Sequence, residues 1–308
     1  MIEILLPTLI PLYIIIAFGY IGGRWMDVHL HSMAIVSMYF ISPVVNYGAI
    51  WRLQFTPSYL LLPVMVYVVA ASMAFLSYRL ARIKWKDDTA NLCGMALGGA
   101  NTGYYGLPII LALFGPDAVG IYLLATFAMT LSENTVCYYI GARGAASVKD
   151  SLIKVIKLPA FHAIWAAVLL NFLGVEPPKA FLTYWQYFAG SWVVIGMMLI
   201  GVALAGVKSF RINWPLIGFT FFMKFVVWPL ALGGIIALDV YILHLFTHQI
   251  HIMLLIAGIV PLMANTVAFA ARLGVRPGEA ATAVLLSTLF ALFYIPAVFM
   301  VLGIQLNP

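Results

Sequence analysis

Runs of about twenty apolar residues, each long enough to cross the hydrocarbon core of a bilayer, recur along this chain and leave little sequence between them. They fall at about 2–22, 32–51, 58–81, 90–114, 118–141, 158–174, 183–207, 212–237, 249–271 and 278–302, ten runs in 308 residues. A segment buried in lipid must satisfy its backbone polar groups internally, and runs of this length do so as helices. The composition agrees, with 64% hydrophobic and 8% charged residues against about 25% charged in a soluble domain. The fold class expected is therefore an all-α membrane protein of ten transmembrane helices. Its first run begins with Glu3, has no basic region before it and meets Arg24 only at its end. It reads as a span that stays in the protein, not as a cleaved signal.

Basic residues are distributed unevenly over the loops. Alternate loops receive Arg24; Arg79, Arg82, Lys84 and Lys86; Arg143, Lys149, Lys154 and Lys157; Lys208 and Arg211; and Arg272 and Arg276. The opposite loops hold only Arg52 and Lys179, and Lys224 is inside a span. Short loops rich in Lys and Arg stay cytoplasmic, so both termini are expected to be extracytoplasmic. The net charge of +6 is thus a topology signal, and no nucleic-acid partner is expected. The loop 142–157 separates two halves, 1–141 and 158–308, of five spans each. An odd number of spans makes the second half enter the membrane in the opposite sense, which is the arrangement of an inverted repeat. Echoes support it: Pro7 and Gly22 are spaced as Pro159 and Gly174 are, Pro63 answers Pro229, and Asn101-Thr102 with Pro108 answers Pro261 with Asn265-Thr266.

The fourth and ninth spans carry the chemistry. Within 96–115, Gly98, Gly99, Gly103, Gly106 and Pro108 surround Asn101 and Thr102. A glycine- and proline-rich interruption persists at membrane depth only where it faces protein or a water-filled cavity. The half-helix after a break presents free N–H groups and the positive end of its dipole, roughly half a charge. Two such ends, from spans four and nine, form an anion site without an arginine. Asn101, Thr102, Gly103 and Tyr104 are its first half, and Pro261, Asn265 and Thr266 its second. The alternative is that these polar side chains only satisfy freed backbone groups. Tyr104 and Tyr105 suit either an aromatic acid or packing against a neighbouring helix.

Lys224 lies deep in span eight, where an ionisable group costs at least ~2.5 kcal/mol and needs a partner or a function. It either pairs with Glu133 or helps to neutralise an anionic substrate. Glu133 sits in span five beside Thr130 and Asn134, a set that suits a proton carrier or, through its oxygens, a Na+ site. No cofactor is expected, and H+ or Na+ is the candidate coupling ion. His244, His248 and His251 share one helical face but read as an interfacial edge, with no metal. Trp25, Trp51, Trp85, Trp185 and Trp214 fit an aromatic belt. Gly196, Gly201 and Gly206 permit close helix approach, within the chain or between protomers. Cys93 and Cys137 belong to no disulfide framework. The absence of GxxxxGK[ST], HExxH and GxSxG excludes the corresponding ATPase, metalloprotease and hydrolase sites.

The run Asn101-Thr102-Gly103-Tyr104-Tyr105-Gly106-Leu107-Pro108, followed by Phe114-Gly115, resembles the fourth-helix motif of the auxin efflux carrier family, which includes plant PIN-type carriers and bacterial malonate and malate permeases. Pro261, Phe269-Ala270, Val275, Pro277 and Thr282-Ala283-Val284 resemble its ninth and tenth helices, and Met223 to Val227 with Pro229 its eighth. The resemblance implies a fold like that of the bile-acid symporter superfamily. Spans one, two, six and seven would form a scaffold, and spans three to five and eight to ten a transport core in which broken helices four and nine cross. It also implies a small carboxylate substrate bound near the crossing at Asn101, elevator-like movement and a homodimer. Departures are Ala100, where plant members have proline, and the lack of an acid between Ser58 and Ala81. The expectation is a secondary active transporter of small organic anions in a bacterial inner membrane, surrounded by membrane lipid. The alternatives are a sodium-coupled carrier of the bile-acid type and an anion channel.

Overall fold

The structure is a computed structural model that describes residues 2–54, 56–142, 153, 156–206 and 212–303. Every regular element among them is helical. Five helices are long and apolar enough to cross a membrane: α2 Leu30–Trp51, α3 Ser58–Lys84, α8 Lys179–Ala205, α9 Trp214–Leu243 and α12 Pro277–Val301. Between them lie α1 Ile2–Trp25, α4 Asp88–Leu97, α5 Leu107–Phe114, α6 Val119–Ser132, α7 Pro159–Phe172, α10 His248–Ile259 and α11 Asn265–Leu273. The chain is a multi-pass helical membrane protein.

Both the fourth and the ninth apolar run are split. The ten residues of α4 and the twelve of α10 measure about 15 and 18 Å at 1.5 Å per residue, half of a ~30 Å hydrocarbon core. Sequence explains each break. At Gly98 a Cβ would meet the Cys137 sulfur and the Ala74 Cβ at 2.5 Å, so only glycine admits the neighbouring helices there. At the other break Pro261 has no N–H to continue the α10 ladder.

Three prolines inside spans have a common local effect. Pro43, Pro108 and Pro229 each stand two residues after a π-helical turn, at Val36–Ile41, Thr102–Gly106 and Met223–Val227. A proline ring crowds the carbonyl four residues back and offers no donor to it, and one widened turn relieves both problems. A fourth π turn, Glu133–Cys137, continues α6 without a proline.

Helices α1, α2, α7 and α8 pack on one another, while α3, α4 and α6 form a second group and α9 to α12 a third. Close backbone approach joins α1 to α8: Gly201 sits against the Ile16 carbonyl, and an added Cβ there would come within 2.5 Å of the Tyr20 nitrogen. Gly196 faces Tyr104, with 2.8 Å between an added Cβ and Cδ1. These two glycines serve contacts inside the chain.

Loops that the charge pattern assigns to one side meet in space. Arg52 pairs with Asp117, and Arg276 pairs with Asp87 at 2.6 Å and Glu279 at 2.8 Å. Arg143, Lys149, Lys154, Lys208 and Arg211, with most of the 142–157 linker, lie outside the described residues.

The aromatic-belt expectation needs correction at two positions. Trp25 and Trp214 are well exposed, but Trp51 and Trp185 are buried. Their indoles donate to Val175 O at 2.6 Å and Val45 O at 3.0 Å. An indole that satisfies a main-chain carbonyl inside the protein has no reason to sit at the headgroups. Among the described residues no group of three or more metal-ligating side chains occurs. His251 lies instead 2.8 Å from the Asp239 carboxylate, which also accepts from the Leu245 and Phe246 N–H groups.

Candidate functional site

The two breaks touch. The Asn101 N–H donates to the Pro261 carbonyl at 2.9 Å, joining span four to span nine at the crossing. Around this contact the polar ends left by the split helices are largely satisfied from neighbouring elements, as buried backbone groups must be. The Trp228 indole donates to the Leu97 carbonyl at the end of α4 at 2.6 Å. The Ser287 hydroxyl accepts from the Leu262 N–H at 3.2 Å. Tyr122 donates to the Thr102 carbonyl at 3.2 Å.

Asn101 caps the turn that follows it. Its side-chain oxygen accepts from the Tyr104 N–H at 3.3 Å, and its carbonyl accepts from Tyr105 and Gly106 at 3.2 and 3.1 Å. The backbone-satisfying role is therefore real at Asn101, and the N–H groups of Tyr104, Tyr105 and Gly106 are already engaged. The start of α11 has no side-chain cap, and its Thr266 and Val267 N–H groups donate to the Met263 and Ala264 carbonyls at 3.2 and 3.3 Å.

A cavity of about 130 Å³ opens at the crossing. Its walls include Asn101, Thr102, Gly103 and Tyr104 from the first break and Ala264 and Asn265 from the second. Thr130 and Glu133 come from span five, and Ser42 and Trp192 from α2 and α8. Seven of the residues singled out from sequence thus meet in one place: Asn101, Thr102, Gly103, Tyr104, Thr130, Glu133 and Asn265. Glu133 is buried at 5% exposure, and its carboxylate accepts from the Asn265 amide at 3.0 Å. Gly99 gives it room, since a Cβ there would lie 2.8 Å from Oε1.

Four other candidates stand back from the cavity walls. Asn134 donates to the Thr130 carbonyl of its own helix at 2.9 Å. Pro261 contributes the carbonyl already described, and Thr266 is buried with an unpartnered hydroxyl. Lys224 is fully buried, its ammonium without a hydrogen-bond partner and 4.6 Å above the Trp228 ring. A cation over an indole face is attracted by the ring quadrupole. Glu133 finds its hydrogen bond at Asn265 and not at Lys224.

Sequence reasoning missed Ser42 and Trp192. A signal for each existed. Ser42-Pro43 interrupts span two as a polar residue before a proline, and Trp192 lies in mid-run, far from the interface where tryptophans gather.

Fold and composition together define a multi-pass helical membrane protein with a polar cavity where two interrupted helices cross. No family model matches the chain. Over 178 residues, 56% of the chain, it is 25% identical to an uncharacterized transporter of Methanocaldococcus jannaschii. That match spans little more than half of the relative, 57% of its length.

Proposed function

We propose that the chain is a secondary active transporter of small carboxylates, built like the auxin efflux carriers as ten spans in two inverted five-helix repeats, 1–141 and 158–308. The observation that carries the reading is the cavity itself. It places amide and hydroxyl donors from both breaks around a space closed on the other side by α2 and α8. An engineered cavity of 150 Å³ takes benzene, so a cavity of about 130 Å³ suits a ligand of about five or six heavy atoms. The archaeal relative named a transporter supports the class, and no enzymatic motif competes with it.

In this reading α1, α2, α7 and α8 are the scaffold, and the remaining helices form the moving core. A cavity lined by both groups opens alternately to the two sides when one slides against the other, the elevator form of alternating access. Asn101 and Asn265 bind the substrate carboxylate, and the uncapped start of α11 adds its positive end. Lys224 acts from behind the crossing through the Trp228 indole. Glu133 faces the same space, where it repels an anion unless a proton or Na+ neutralises it. That arrangement couples substrate to ion. The protein sits in the inner membrane with both termini outside the cytoplasm and forms a homodimer through its scaffold.

A thermal-shift screen of mono- and dicarboxylates against the purified protein tests the reading, because a ligand that binds only the native state raises apparent stability. Ligand stabilisation that disappears in Asn101→Ala and in Asn265→Ala, each read against its own ligand-free melting temperature, is expected. Equal stabilisation in both variants would refute the site. Saturable counterflow in proteoliposomes separates the carrier from a channel, and varying sodium at fixed pH and then pH at fixed sodium identifies the ion.

A further inference from the structure

Trp192 lies in the wall of the cavity on α8, across from the residues that the two breaks supply. It is only 6% exposed, and its indole N–H has no hydrogen-bond partner. The other buried indoles described above all donate to main-chain carbonyls: Trp51, Trp185 and Trp228. Leaving such a donor unmade inside a protein costs the full desolvation of the group. A fold that satisfies three indoles and leaves the fourth unpaired on a residue of the cavity wall holds it for something that arrives.

Its neighbours fix where it points its ring. Gly103 faces it without a side chain, and an added Cβ would lie 3.7 Å from Cζ2. One turn further along α8, Gly196 receives Tyr104. The Trp192–Gly196 face of α8 is therefore shaped to the first break, with the aromatic edge laid over Gly103. An indole N–H is a donor only, with no acceptor capacity. It discriminates in favour of a group rich in acceptors, which a carboxylate is.

We infer that Trp192 is a specificity-determining residue of the proposed carboxylate site: its indole N–H donates to a substrate carboxylate oxygen while Asn101 and Asn265 hold the substrate from the other side. The inference rests on the carboxylate reading above and assigns to α8 a direct contact between the scaffold and the substrate. The contact links the element that stays still to the cargo that moves, so it forms and breaks during each cycle.

The experiment measures binding of propionate and succinate to wild type, Trp192→Phe and Asn101→Ala by calorimetry, together with ligand-free melting temperatures. Phenylalanine keeps an aromatic wall and removes the donor. A hydrogen bond to a charged group contributes enough to predict about a tenfold to hundredfold loss of affinity in Trp192→Phe. Its ligand-free melting temperature should be unchanged or higher, because an unpaired buried donor has gone. Trp192→Met, which also lacks a donor, carries the same expectation should the first variant fold poorly. Binding weakened by Asn101→Ala but untouched by Trp192→Phe overturns the assignment of Trp192 alone. A loss of affinity matched by loss of ligand-free stability overturns it too, by showing a packing role. Failure of both probes to bind wild type overturns the carboxylate reading itself.

Discussion

Replacing Glu133 by glutamine isolates the charge that would share the cavity with the proposed substrate. Glutamine keeps a side-chain oxygen for the Asn265 amide, which stands 3.0 Å from the carboxylate in the wild type, so the crossing should stay intact. A substrate oxygen held by that amide lies one hydrogen bond farther out, roughly 6 Å from the Glu133 charge. With an effective dielectric of about 20, two unit charges at that separation repel by about 2.8 kcal/mol, or about a hundredfold in Kd. The sign depends on conditions. At high pH without sodium the wild-type carboxylate is charged and unneutralised, and Glu133→Gln should bind a small carboxylate about a hundredfold more tightly. With the coupling ion saturating, the two proteins should bind alike. Calorimetric titration of propionate over a grid of pH and sodium reads both limits. A glutamine variant that keeps the wild-type ion dependence would refute the coupling argument.

Three further outcomes follow from the packing. In Gly201→Ala the new methyl meets the Ile16 carbonyl across the α1–α8 contact, and overpacking of this kind costs about 1–3 kcal/mol; thermal unfolding in detergent should show it, and wild-type stability would mean that the two backbones separate freely. Trp228→Phe strands the Leu97 carbonyl at the end of α4 and should destabilise by about 1–3 kcal/mol; unchanged unfolding would place the carbonyl elsewhere. Asp87 caps α4 through the Thr89 N–H, and this contact first, then Arg276, holds its carboxyl below the usual range. Its contribution is therefore full at neutral pH and lost as acid titrates it below about pH 4. Asp87→Ala should cost about 0.5–2 kcal/mol at pH 7 and converge on wild type in acid, and a constant difference across pH would refute the linkage.

How much of this was legible in the sequence follows from how far each signal reaches. Apolar run length is a local property that lipid enforces, so the helical membrane class could be read directly. The breaks were legible because glycine and proline act on their own backbone: Gly98 to Gly103 and Pro261 mark the same positions in sequence and structure. The meeting of Asn101 and Asn265 could be anticipated from the matching order of the two halves and from the family resemblance, whereas Glu133 stood out only as an acid within a span. Residues opposite them were not legible. Trp192 and Ser42 face the site across a helix interface, and which face a uniformly apolar helix presents to its neighbour leaves no periodic trace when the outer face is lipid. The same absence misplaced Trp51 and Trp185, whose partners Val175 and Val45 are distant in sequence.

The two breaks are not equivalent, and the difference bears on how an anion is held. At the first, Asn101 takes the N–H groups of Tyr104, Tyr105 and Gly106 onto its own two oxygens. What that half offers a ligand is then mainly the amide and hydroxyl side chains of Asn101 and Thr102. At the second, no side chain caps α11, and Ala264 and Asn265 stand in the cavity wall. Its Thr266 and Val267 N–H groups are already taken by the Met263 and Ala264 carbonyls, so this half offers a ligand mainly the Asn265 amide. The same amide donates to the Glu133 carboxylate. In the proposed carrier an arriving substrate anion would compete with Glu133 for that amide, and neutralising Glu133 would release it. Coupling of ion to substrate would then need no long-range relay, because both act on one amide side chain.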